Sequence, residues 1–109
     1  MARLRSDFWI SAYLRQCHVD GIPAVLRRRG HEEAGAIFIK VDHGNGTASL
    51  FGPKPQDVTE QDERYFSRFI EAAFSGDVEM RIEKEIRFDP DLWLLEVDSR
   101  SEVNNFPWE

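Results

Sequence analysis

Four carboxylates crowd one short stretch of the 109-residue chain: Asp89, Asp91, Glu96 and Asp98 in RFDPDLWLLEVDSR. Carboxylates at this density can hold a divalent cation and activate water. A nuclease core of the PD…E-x-K kind needs an Asp and a Glu-x-Lys converging on Mg²⁺ from neighbouring strands. Here Asp91 and Glu96 share one run and are an odd number of residues apart. Strand alternation therefore sends them to opposite faces. The lysine position holds Asp98, which has the wrong sign. A turn explains the residues better. Pro90 stops a preceding helix and biases Asp89 away from helical geometry. Asp-Pro at the first two positions suits a type I turn. Glu96 and Asp98 then share a face with Leu92 and Leu94, opposite Trp93. A metal-dependent hydrolase built on Asp91, Glu96 and Asp98 stays as an alternative, and would need an oxygen ligand from elsewhere.

Other constellations carry less. GHEEAG (residues 30–35) has the glycine spacing of a phosphate loop, but Ala36-Ile37 stand where Lys and Ser/Thr are required. His31, Glu32 and Glu33 are adjacent and read as a solvated loop. Cys17 and His18 are neighbours on a predicted helix and point about 100° apart, which prevents a catalytic dyad. His43 flanks a turn and reads as exposed. No catalytic residue is assigned, and no cofactor is expected.

Arginines form the remaining cluster. Residues 1–30 contain six of them (Arg3, Arg5, Arg15, Arg27, Arg28, Arg29) against Asp7 and Asp20, a net +4. Residues 31–109 carry eight Lys/Arg against eighteen Asp/Glu, a net −10. A basic patch of this kind binds phosphate, nucleic acid or acidic protein. The alternative is a basic end meeting an acidic end, within one chain or between two copies. The overall charge of −6 favours the latter, because phosphate binders are usually basic overall.

These side chains need elements to hold them. RLRSDFWISAYLRQCHVDG predicts a helix capped by Ser6 and stopped at Gly21. Its apolar arc is wide: Phe8, Ala12 and Val19 fall together, and Trp9, Ile10, Tyr13, Leu14 and Cys17 continue it. Such a helix must be covered on more than one side. AVLRRR and AIFIKVD predict strands, followed by an Asn45-Gly46 type I′ hairpin and a return strand TASLFG. RYFSRFI reads as a fourth strand, although Tyr65, Phe66, Phe69, Ile70 and Ala73 also have helical spacing. SGDVEMRIEKEIRF predicts a helix capped by Ser75 or Asp77, with Val78, Ile82 and Ile86 on one face. DLWLLEVDS is the last strand. The order α-β-β-β-β-α-β predicts one α+β domain over residues 1–109. It would be two-layered, with both helices on one side of a mostly antiparallel sheet of about five strands. Residues 99–109 form a tail that docks or dangles.

Three pieces, RLRSDFWISAYLR, AGAIFIKVD…GTASLFGP and FDPDLWLLEVD, resemble a family of small uncharacterised bacterial proteins, domain of unknown function 1491. The resemblance runs from about Arg3 to Asp98. It implies a single-domain cytoplasmic protein and brings no activity with it. A single cysteine excludes an internal disulfide framework and agrees with a reducing compartment. No apolar run reaches the ~18 residues of a membrane span. The reading that follows is a non-enzymatic protein-interaction module, homo-oligomeric or bound to another protein, with Trp9, Tyr13, Phe106 and Trp108 at its interface. Nucleic-acid or phospholigand binding through the arginines is the alternative.

Overall fold

The computed structural model describes residues 4–54 and 66–98. The elements follow the expected order: α1 (Ser6–Val19), β1 (Ala24–Arg28), β2 (Ile37–Asp42), β3 (Thr47–Pro53), β4 (Phe66–Phe74), α2 (Ser75–Phe88) and β5 (Trp93–Asp98). The ambiguous aromatic segment is a strand. Its bulges shift register against β3 on either side of Leu50.

One five-stranded sheet runs β1-β5-β2-β3-β4. The last strand lies between β1 and β2, antiparallel to the first and parallel to the second. The other two pairings are antiparallel. To reach that slot the chain leaves β4, crosses one face through α2, and returns beside β2. A crossover helix covers the face it crosses.

That crossover leaves the opposite face to α1. Ile10, Tyr13 and Cys17 of α1 pack on Ile37, Ile39, Val41, Phe51, Trp93, Leu95 and Val97. Val78 and Ile82 of α2 pack on Phe38, Ala48, Leu50, Leu92 and Leu94. The helices thus flank the sheet, where the sequence reading placed both on one side. Alternation along β2 and β5 explains the division: odd-numbered residues face α1 and even-numbered ones face α2.

Two local expectations are corrected. Ser6 does not cap α1. It is the first helical residue, and its Oγ donates to the Gly35 carbonyl at 2.7 Å. The N–H groups of Ser6 and Asp7 donate to the carbonyls of Glu33 and Glu32 instead. A helix needs its first N–H groups satisfied, and here the 31–35 loop does it with main chain. The hairpin is not the Asn-Gly type either. Positive φ falls at Gly44 (81°) and Gly46 (85°), not at Asn45. The Asn45 Oδ1 accepts from both the N–H and the hydroxyl of Thr47.

The two motifs that invited chemistry both have structural roles. Leu92 N donates to the Asp89 carbonyl, and Asp91 N donates to Asp89 Oδ1, closing the Asp-Pro turn. The glycines of GHEEAG press against that turn. A Cβ on Gly30 would lie 2.3 Å from the Asp91 carbonyl oxygen, and one on Gly35 would lie 2.5 Å from it. The glycines serve close packing rather than a phosphate.

Candidate functional site

The predicted site residues scatter, and the structure regroups them. Glu96, offered as a metal ligand, stands on β5 beside Lys40 of β2 in parallel register. Arg27, offered as an anion binder, lies on β1 at 3.0 Å from Glu96. Glu79 reaches down from α2 and takes Arg27 through two bonds, at 2.8 and 2.9 Å. The same carboxylate accepts from Lys40 Nζ. Four elements thus supply two cations and two anions to one electroneutral cluster on the α2 side of the sheet.

Its electrostatics follow from burial. Lys40 is only 7% exposed. A buried ammonium is tolerated when paired and hydrogen-bonded. The Arg27 guanidinium, helped by Lys40, holds the Glu79 carboxyl at about 2, well below the ordinary range. Two opposite charges this close favour the ionised form of each. Arg27 is thereby engaged by protein, and Glu96 is compensated by cations.

The other arginines are not gathered. Arg5 pairs with Asp7 at 3.2 Å and approaches Glu33 at 3.7 Å. Arg28 donates to the Pro90 carbonyl at 2.8 Å. Arg29 covers the Trp93 ring, and Arg15 is exposed on α1. Arg3 lies outside the described residues. Asp91 and Asp98 flank opposite ends of β5. Among the described residues, no group of three or more His, Cys, Asp or Glu is placed to hold a metal ion.

One cluster had no sequence signal. Ser49 Oγ lies 2.8 Å from His43 Nε2 and accepts from Ala72 N at 2.9 Å. Ala72 carries a φ of 49°, left-handed backbone inside β4. A bulge takes a residue out of the strand ladder and leaves its N–H to find another acceptor. Ser49 provides one. Val41, Phe51, Arg68 and Glu71 complete a depression of about 200 Å³ here. The bond from Ala72 uses one of the two lone pairs of the Ser49 hydroxyl and supports the bulge.

The over-wide apolar arc of α1 divides cleanly. Tyr13 is buried in the core, and half-buried Trp9 stacks on it with ring centroids 5.1 Å apart. Of these two interface candidates, Tyr13 is turned inward and Trp9 is partly exposed. The outward apolar residues are Phe8 (54% exposed) and Val19 (71%), with Ala12 between them. Ser11, Ala12, Arg15, Gln16 and Val19 line a shallow depression of about 460 Å³. On α2 the exposed Met80 and Phe88 are separated by the exposed Lys84. Phe106 and Trp108, the other interface candidates, lie outside the described residues. No helix among the described residues is long and apolar enough to cross a membrane.

Comparison with known proteins agrees with this architecture. The chain resembles the solution structure of protein Atu0922 from A. tumefaciens, at 33% identity over 93% of this chain and 89% of that one, with a TM-score of 0.80. It is also similar to a DUF1491 family protein from Caulobacter crescentus CB15. The crystal structure of that protein gives 31% identity over 97% of each chain and a TM-score of 0.78. Its NMR structure gives 29% identity over 100% of this chain and 99% of that one, with a TM-score of 0.77. No curated protein matches the sequence. A family model described as "Protein of unknown function (DUF1491)" matches residues 4–106, nearly the whole chain, and the chain therefore belongs to the DUF1491 family.

Proposed function

We propose that this protein is a non-enzymatic protein-interaction module that receives its partner on the outer side of α1. The observation that carries this reading is the outward apolar row Phe8, Ala12 and Val19, of which Ala12 and Val19 line a shallow depression. The inner side of the same helix already fills one face of the core. An exposed apolar patch rimmed by polar residues is the usual mark of a protein-binding surface. Arg15 at the rim suits a partner segment that carries a carboxylate. The partner is protein, either another chain or a second copy of this one.

A photo-crosslinking amino acid placed at Ala12 tests this, with Glu83 on the exposed side of α2 as the control position. The chain is expected to trap a discrete protein product from position 12, and Val19→Glu is expected to abolish it. Equal products from both positions, or none from position 12, would sink the reading. Sedimentation at high micromolar concentration then separates a second copy from a different chain.

A further inference from the structure

Strand β1 lies at one edge of the sheet, and β5 is its sheet neighbour among the described residues. Asp98 N donates to the Pro23 carbonyl at 3.0 Å. Bonding alternates along an antiparallel pair. Val25 therefore bonds with Glu96 opposite it, and Ala24 and Leu26 aim their N–H and C=O groups away from β5. An edge of this kind is a template for another strand. On the α2 side of the same edge, beside Glu96, Val25 is 54% exposed. We propose that this edge pairs with the same edge of a second copy, antiparallel and centred on Val25, so that two five-stranded sheets join into one. The proposal goes beyond the α1 reading and does not depend on it.

The edge is complementary to itself in that register. Ala24 meets the second copy's Leu26, and Leu26 meets the second copy's Ala24. Each is a hydrogen-bonded pair that joins a small residue to a large one. Both residues pack against the core under α1, so the core of one copy continues into the other. The two Val25 side chains face each other at the axis in a close, non-hydrogen-bonded pair, and each covers the other. Arg27 meets the second copy's Pro23, which has no N–H to leave unpaired. Charge agrees with this arrangement. Arg27, Arg28 and Arg29 follow one end of the paired segment. A depression of about 340 Å³, lined in part by Asp42, Glu96 and Asp98, adjoins the other end at Pro23 and Ala24. Antiparallel pairing lays each basic end beside the acidic depression of the other copy. Opposed charges brought together in this way fix register and suppress wrong pairings.

The opposite edge is unsuited to such pairing. β4 shifts register on either side of Leu50 and carries the left-handed Ala72. Bulges of this kind twist an edge away from a second strand. Assembly therefore stops at two copies, as a two-fold contact that uses the same patch on both must. The axis stands perpendicular to the joined sheet, which leaves both α1 helices on one face. Their outer sides then point the same way, and a single partner with two binding segments engages both at once.

The test uses the full chain, labelled with ¹⁵N. Sedimentation is expected to show a dimer that dissociates on dilution. The amides of Ala24 and Leu26 are expected to exchange with solvent about tenfold more slowly in the dimer than in the diluted protein, with Val41 as the unmoved reference. Val25→Lys sets like charges against each other at the axis. It is expected to give a folded monomer at every concentration, in which Ala24 and Leu26 exchange at the diluted rate. A monomer at high micromolar concentration would overturn the proposal. So would exchange at Ala24 and Leu26 that ignores dilution, a measurement that needs no variant and holds even if Val25→Lys does not fold. A dimer that Val19→Glu abolishes and Val25→Lys leaves intact would overturn it as well, because the contact would then lie on α1. Failure of the α1 reading looks different: position 12 captures nothing, while the dimer and its sensitivity to Val25→Lys persist.

Discussion

The two sides of the sheet bury polar groups in opposite ways. On the α2 side, the Lys40 ammonium is drawn into a cluster with Glu79, Arg27 and Glu96. On the α1 side, the Tyr13 hydroxyl is buried with no hydrogen-bond partner among the described residues. Burial, with the Cys17 thiol beside it, pushes the Tyr13 phenol far above its ordinary range. One helix is fastened by directional charge pairs, the other by aromatic packing that leaves a polar group stranded. The lesson concerns specificity. Charge pairs fix where α2 sits, whereas α1 is held by apolar area and positioned by the hydrogen bonds of its first residues to the 31–35 loop.

Removing Glu79 gives the largest expected effect on this contrast. Glu79→Leu strands the buried Lys40 and frees Arg27, and should cost about 3 kcal/mol in urea unfolding. Adding Lys40→Met should recover most of that loss. If the double variant is as unstable as the single one, the cluster is not what fastens α2. Acid should reveal the same cluster. The Glu79 carboxyl is held at about 2, below its ordinary 4.5. A depressed acid stabilises the fold above its unfolded value and loses that contribution as protons bind. Stability should therefore decline between about pH 4.5 and 2, and Glu79→Gln should flatten that part of the profile. An unchanged slope would contradict the pairing.

Tyr13→Phe sharpens the other side. It deletes a stranded hydroxyl while keeping the ring, and should raise stability by about 1 kcal/mol. A loss of stability would mean that the hydroxyl has a partner. The smallest effect belongs to the outer row of α1. Phe8→Ser should change stability by no more than about 0.5 kcal/mol, whereas Ile10→Ala, about 200° further round the helix, should cost about 2 to 5 kcal/mol. Comparable losses for both would place Phe8 inside the core.

Alternation made much of the fold legible. AIFIKVD and DLWLLEVDS read as strands, and Trp93, Leu95 and Val97 share a face as that reading required. The same runs carry apolar residues at both parities, which is the pattern of strands covered on two sides. That signal pointed to helices on opposite faces, and the expectation of one shared face overlooked it. Strand order was not legible, because pairing β5 between β1 and β2 is a non-local choice that leaves no trace in local pattern. The charge cluster was hidden for the same reason: Arg27, Lys40, Glu79 and Glu96 come from four separate elements. Arg27 and Glu96 were both singled out, but for separate chemistries, and only the sheet shows that they meet. Ser6 looked like a cap because its type and position fit one. Its hydroxyl was instead claimed by Gly35, twenty-nine residues away. Ser49 gave no warning, since a lone serine in an apolar strand has no distinguishing spacing.

The insertion of β5 also governs when the protein can fold during synthesis. Strands β1 and β2 do not touch; each pairs with β5, which is made last of the seven elements. A nascent chain that has delivered only β1 to β4 holds two disconnected pieces and a half-built core. Pairing across such long sequence separations is slow because loop-closure entropy must be met first. The whole sheet therefore cannot close until β5 has been delivered, and a chain stalled before Trp93 holds at most the β2-β3-β4 meander.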